Sequence, residues 1–519
     1  MAPTVSLRRH AKARALGARG RALIGVGLGI ALLVGLNGLV RENYVPGGVG
    51  QFVGSPPLPV VQMSRPSAWR CPGPLPVGAG KESSSIAIVN GSGANVSVAV
   101  SISRTSLPVG GTSKTKSVSG SRVQVDGHSQ AVLALPRTGP AGFAAVSVET
   151  DGGGIGVAES ISGLPSLGGA IVVSSPCALG SAPRAYIAAG STYGSSDVRL
   201  ALYDPDATPA VVDVAVSNGT SSTSPPAFQG VVIPATGLVV LDLRRWVFQV
   251  SALAVTATAV SGDIVVGALE STSATVAEAS GTTGKGAQKT VHVQLTGSSL
   301  LVGPDRALEQ WALPALHSRI GVSSMFSVYD PGTKSTSVSV APPGRAGRVA
   351  ALTEDVPAGG VVDFETPIAP GTHLETRSVV VSAGPGTPVV AVRLTGRQPS
   401  SALEEVNATA GTAGPRDNWL IPGATVTATI DDLVTLVVPG SQTASVKLVE
   451  LPELPAVPVS FKAVTVFAGT EREIDLGPIM KDAPGFALEI SSTVPILVEE
   501  QLKPRHGDTT ALGAIPVSP

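Results

Sequence analysis

Two cysteines, three acids at the ends of apolar segments, three of the four tryptophans and six histidines are the residues whose types could do chemistry. Cys71 and Cys177 are the only thiols in the chain. Both follow an uncharged run that reads as a membrane anchor, which places them outside the cytoplasm, where disulfides persist. Joining them closes a loop of about a hundred residues, worth on the order of 4–5 kcal/mol in the chain-entropy model. We expect a structural bridge. Free thiols or a metal pair are the alternatives, and zinc wants more ligands than the sequence places beside them.

Glu159, Glu270 and Glu500 each close an apolar strand-like segment. Paired carboxylates hydrolyse glycosides only when about 5–10 Å apart in one site. One acid per repeat, at equivalent positions, reads instead as a repeat finishing its last strand. Trp69, Trp311 and Trp419 are candidate sugar-stacking platforms, or repeated core residues, since such rings bury large areas.

The other motifs fall away on spacing. His10, His128, His292, His317, His373 and His506 are scattered, with no metal-binding interval. Ser113-Lys-Thr-Lys116 matches S-x-x-K, but its companion motifs are missing and Gly110 to Gly120 reads as a polar loop. There is no G-x-S-x-G elbow, and Gly284-Lys285 lacks the preceding glycine of a P-loop. Gly25, Gly27 and Gly29 lie inside the apolar run; Gly25 and Gly29 form a helix-packing G-x-x-x-G pair or the small residues of an anchor. The sequons at Asn90, Asn95, Asn218 and Asn407 read as chance matches in turns. No cofactor and no metal is expected, and the chain is not expected to be an enzyme.

Composition says what must position these residues. Only 14% of residues are charged and 43% are hydrophobic, so the chain can bury substantial cores. Gly (61) and Pro (43) make up about a fifth of it, which suits many turns. Aromatics are 3%, leaving the core to Val, Ala, Leu and Ile, and β-branched Val favours strands. Net charge is -1, but Arg8, Arg9, Lys12, Arg14, Arg19 and Arg21 all precede the apolar run, so the remainder is acidic. That excludes a nucleic-acid backbone as partner.

Ala22 to Val40 is uncharged between Arg21 and Arg41. Its length as a helix is about 28 Å, close to a bilayer core. The basic residues 1–21 then form a cytoplasmic tail, 22–40 a transmembrane helix, and the rest lies outside. A cleaved signal peptide is the rival, though no A-x-A site follows. Residues 41–66, rich in Pro and Gly, read as a stalk.

Beyond the stalk one β unit recurs four times. Each opens near an aromatic: Trp69, Tyr186, Trp311 and Trp419. A strand follows, then a turn: Asn90-Gly91, Tyr203-Asp204-Pro205, Tyr329-Asp330-Pro331 and Val438-Pro439-Gly440. Alternating apolar residues and six or seven short strands per unit fit an immunoglobulin-like sandwich. The expected fold is all-β: a transmembrane helix, then four tandem immunoglobulin-like sandwiches at 67–165, 166–275, 290–397 and 416–504. Residues 276–289 and 398–415 are expected linkers and 505–519 a tail, each unit having its own core. A β-propeller-like arrangement, with two blades per unit, is the alternative.

The Tyr-Asp-Pro turns and the closing segments Val266 to Glu270, Pro388 to Arg393 and Pro495 to Glu500 resemble a bacterial extracellular β-repeat. With the anchor, the chain resembles an actinobacterial membrane-anchored family of unknown function over roughly residues 20–505. Asn90-Gly91, Val438-Pro439 and Arg393 in place of Glu depart from the pattern. The resemblance implies a location and an architecture and supplies no catalytic residues.

Two functional readings follow. One is a non-catalytic structural or interaction protein of the bacterial cell envelope, meeting an envelope protein or wall polymer. The other binds or processes wall carbohydrate and needs an exposed Trp beside a carboxylate in a concave pocket. Under the first reading, the strand Ala210 to Val216, guarded only by Asp213, is expected to be an open sheet edge able to accept a partner strand.

Overall fold

The computed structural model describes residues 61–518 apart from residue 64 and the segments 107–115, 166–169, 281–288, 319–321, 344–351, 366–374, 398–402, 425–429, 454–457, 481–484 and 505–509. The regular structure of the described chain is β-strand, apart from two short 3-10 turns. No helix in it is long and apolar enough to cross a membrane. The run 22–40 expected to do so, the tail 1–21 and most of the stalk lie outside the described residues.

One strand order occurs four times. In sandwich 1 the strands are Ala68–Val77, Ser83–Asn90, Val96–Ser106, Lys116–Val125, Ser129–Ala134, Gly142–Thr150, Ile155–Pro165 and Ala170–Pro176. Numbered one to eight, they pair as 1-6-3-4 in one sheet and 5-2-7-8 in the other. Sandwich 2 repeats the order from Arg184–Ile187 to Lys289–Val302, and sandwich 3 from Gln310–Ser318 to Leu403–Ala410. In sandwich 4 a single strand, Phe486–Pro504, supplies both sixth and seventh places. Its first part pairs with Arg416–Ala424 and Ala444–Pro452, and its second with Ile430–Val437 and Thr510–Gly513.

The turn after the second strand is the local reason for the repeat. Asn90 Oδ1 accepts from Ser92 N at 2.9 Å, Asp204 Oδ1 from Asp206 N at 2.8 Å and Asp330 Oδ1 from Gly332 N at 2.7 Å. An Asn or Asp two residues before the donor closes such a turn with its own side chain. Val438 has no oxygen to offer and is fully buried instead.

The 1-6-3-4 sheet of each sandwich stacks on the 5-2-7-8 sheet of the next. Phe143 and Ala145 meet Ala201, Tyr203 and Val240 between sandwiches 1 and 2. Ala312 meets Val437 and Leu497 between 3 and 4. The same faces meet between 4 and 1, where Leu420 and Ile515 lie against Gly91 and Gly156. There Gly423 N donates to Gln130 Oε1 at 2.8 Å and His128 Nδ1 lies 3.7 Å from Glu489 Oε2. Strand Val61–Gln62 runs parallel to Ile515–Ser518, tying the first described residues to the last. Unlike faces joined head to tail close into a ring when the rotation fits, and here the four sandwiches do so.

Several expectations need correction. Separate cores were expected, but one apolar cluster runs through sandwiches 2 and 3 and another from sandwich 1 into Leu420, Leu451 and Ala487 of sandwich 4. Both faces of the sheets are covered, which small outward residues permit. The expected linker 398–415 contains the strand Leu403–Ala410, and the tail contains Thr510–Gly513. Lys289–Val302, expected to open the third unit, pairs along Val265–Ser280 of the second. Ala210–Ser217 is no open edge: Ala254–Ser261 flanks it on one side, Ser222–Thr223 and Val231–Ile233 on the other.

Candidate functional site

The chemistry-bearing residues gather between the sheets near the middle of the ring. Cys71 and Cys177 are joined in a disulfide, as expected. Cys71 ends the regular part of a first strand and Cys177 follows an eighth strand, so the bridge ties the two sheets of sandwich 1 together. The metal-pair alternative is answered by that bond. Glu159 lies beside it, with Cys71 Sγ, Cys177 Sγ and a Glu159 oxygen all within 4.8 Å of one another.

The first strand breaks its register where it passes this point. In sandwich 1 the break lies between Cys71 and Leu75, in sandwich 3 between Leu313 and Leu316, and in sandwich 4 between Ile421 and Ala424. In each, a proline sits three residues after the tryptophan: Pro72, Pro314 and Pro422. Proline cannot donate to a ladder, so the strand bulges and turns backbone groups inward.

The seventh strand answers the bulge. Ile86 pairs with Glu159, Leu200 with Ala268, Phe326 with Arg393 and Val434 with Glu500, the same register place in each repeat. Glu159 Oε2 accepts from Gly73 N at 3.0 Å, while Arg393 Nη1 donates to Pro314 O at 3.0 Å. A bulge that presents an N–H takes an acid, and one that presents a carbonyl takes a base. That explains Arg393 where a glutamate was expected. Glu270 corrects the expected equivalence: it pairs with Val198, two residues further along, and Ala268 holds its place. The short first strand of sandwich 2, Arg184–Ile187, pairs without a register shift, so no inward group needs a charged partner.

These acids are buried, and burial sets their protonation. It raises Glu159 from its ordinary 4.5 to about 8, with the Gly73 N–H pulling back. Glu499, ion-paired with Arg393 across the interface of sandwiches 3 and 4, is raised by burial to about 7 against the attraction of that guanidinium. Glu500 is pushed well up by burial and by the carboxyl of Asp432. Ser299 Oγ donates to Glu270 Oε2 at 3.4 Å.

The four eighth strands converge on a cavity of about 180 Å³, lined by residues that include Trp69, Cys177, Leu301, Trp311, Val498 and Glu499. Its lining is mostly apolar, and a site of that kind favours small apolar molecules over sugars. Trp69, Trp311 and Trp419 are each no more than 1% exposed. Trp311 Nε1 donates to Val389 O at 2.6 Å and Trp69 Nε1 to Ser67 Oγ at 3.1 Å. They pack the interior and present no platform. Asn90 is equally buried, its amide committed to Ala94 O and Asp126 O, so its sequon is closed to modification. Ser113 lies outside the described residues, as do the side chains of His292, His317, His373 and His506.

Sequence reasoning passed over the fourth tryptophan. Trp246 is 53% exposed and Phe248 70%, on the loop between the fifth and sixth strands of sandwich 2. Their place between Arg245 and Gln249, outside any alternating run, was the available signal.

No protein-family model matches this chain, and no curated protein is similar to it. Among solved structures, trypsin-activated alpha-2-macroglobulin from Escherichia coli aligns over 88% of this chain and 42% of its own, at 7% identity and a TM-score of 0.13. The chain thus spans less than half the length of that protein, and so low a score carries no argument about fold or function.

Proposed function

We propose that this protein is a non-catalytic, membrane-anchored structural or interaction module of the bacterial cell envelope. Its four β-sandwich units form a propeller-like ring outside the cytoplasm. The observation that carries this reading is the burial of its chemistry. The disulfide, Glu159, Glu500 and three tryptophans are spent on holding sheets together, with exposures of 5% or less. The basic residues before Ala22 and the apolar run to Val40 support the anchor, with the N-terminus cytoplasmic. The resemblance to an actinobacterial membrane-anchored family belongs to the same reading and rests on the Tyr-Asp-Pro turns and closing segments. Wall-carbohydrate binding by Trp69, Trp311 or Trp419 finds no support, because an enclosed ring cannot stack on a sugar.

Protease added to intact cells tests the topology. A tag at the C-terminus should be digested and one at the N-terminus spared. The reverse pattern, or protection of both, overturns the proposal.

A further inference from the structure

The solvent-facing aromatics of sandwich 2 collect at one end. Tyr193 is 41% exposed, Trp246 53% and Phe248 70%. They sit on two loops, one following the first strand and one preceding the sixth. The loops are laced together: Thr192 N donates to Val250 O at 2.8 Å, Arg244 Nη2 to Gly194 O at 2.7 Å and Gly194 N to Gln249 Oε1 at 3.3 Å. Gln249 holds a left-handed φ of 57°, which turns the chain sharply after Phe248. Trp246 rests edge-on against buried Phe228, ring centres 6.2 Å apart. The two loops that carry the rings are therefore tied together, and Trp246 is seated on the core.

The charges at this end are Arg199, Arg244, Arg245, Asp197 and Asp242. Arg245 pairs with Asp242 at 3.1 Å and Arg199 with Asp197 at 3.4 Å. Neutralised pairs beside Trp, Tyr and Phe suit the headgroup layer of a bilayer, where amphipathic rings settle and arginine stems reach outward to phosphate.

We infer that this aromatic end of sandwich 2 docks on the lipid surface to which the chain is anchored, laying the ring against the bilayer. The inference rests on the proposed anchor. The chain between Val40 and Val61 reaches at most about 70 Å when extended. A domain of this size has a radius of gyration of about 23 Å, so the tether lets any face turn to the membrane.

Trp246 is its own reporter. The other tryptophans, Trp69, Trp311 and Trp419, are buried, and the apolar run holds none. The full chain would be reconstituted in vesicles of phosphatidylethanolamine and phosphatidylglycerol, with and without brominated acyl chains. Bromine should quench the share of emission that belongs to one tryptophan in four. Trp246→Phe should abolish that quenching, and Tyr193→Ser with Phe248→Ser should reduce it several-fold while leaving Trp246 emission in place. Resistance to carbonate extraction reports the anchor separately. A retained chain whose Trp246 is quenched by acrylamide and not by bromolipid overturns the docking alone. A chain that is extracted and unquenched overturns the anchor as well.

Discussion

Tyr203 Oη lies 2.5 Å from Ser147 Oγ, joining the end of the second strand of sandwich 2 to the sixth strand of sandwich 1. Tyr329 repeats the contact one unit on, its hydroxyl 2.8 Å from Thr256 Oγ1. Both tyrosines directly precede the aspartate of the turn. The Tyr-Asp-Pro motif thus performs two jobs: its acid closes the local turn, and its phenol reaches back to the preceding unit. In sandwich 4 the same place is Val437, which meets Ala312 by apolar contact.

Tyr203→Phe removes the hydroxyl and leaves buried Ser147 with one partner fewer. We expect a loss of about 1–3 kcal/mol in urea unfolding. Arg306→Ala, which removes an exposed pair with Asp305, should cost under about 1 kcal/mol. Equal effects would mean that the phenol contact contributes nothing special.

Glu159→Gln should change how stability depends on pH. The folded pKa, about 8, lies above the ordinary 4.5, so between those values the folded chain keeps a proton that the unfolded chain has lost. The stability this group contributes is complete below the lower value and is lost as pH rises through the upper one. Glutamine keeps an oxygen for Gly73 N and does not titrate. Urea midpoints of the two proteins should diverge in favour of the variant as pH rises through this window, then run parallel above it. Parallel profiles throughout would show that Glu159 is not held protonated.

Glu499→Gln strands the Arg393 guanidinium between sandwiches 3 and 4 without its counter-charge. Breaking a buried pair in this way costs about 3–5 kcal/mol. Replacing both partners by apolar residues, Arg393→Met with Glu499→Leu, should recover most of that loss. A double variant as unstable as the single one would show that the pair's other hydrogen bonds, including Pro314 O, outweigh the ion pair.

The sequence displayed the repeat because its signals are local. An aromatic in each first strand, an Asx turn after the second strand and two isolated cysteines all read correctly. Ring closure entered only as the propeller-like alternative because it depends on outward faces built from Ser147, Thr256, Ala145, Ala201 and Gly156. Alternation of Val with Ser or Ala looks like one wet face, yet these small residues bury at little cost once another sheet covers them. The low charge content was the overlooked clue. Val214 shows the same lesson: few guarding charges suggested an open edge, whereas Val214 is fully buried and its strand is paired on both sides. Glu159 and Arg393 were visible as charges, but their partners, Gly73 N and Pro314 O, sit in bulges whose inward backbone groups leave no trace beyond a proline.

Ring closure is tested most directly where sandwich 4 meets sandwich 1. His128→Cys with Glu489→Cys places thiols on side chains now 3.7 Å apart, and the native cysteines, already bridged, do not compete. Treated as a dilute monomer with a short bis-maleimide, the double variant should cross-link within one chain, with both sites joined in a single peptide pair by mass mapping. Each single variant should give no such product. An unlinked double variant, or one linked only between chains, would mean that the four sandwiches form an open array and that the closed ring is wrong.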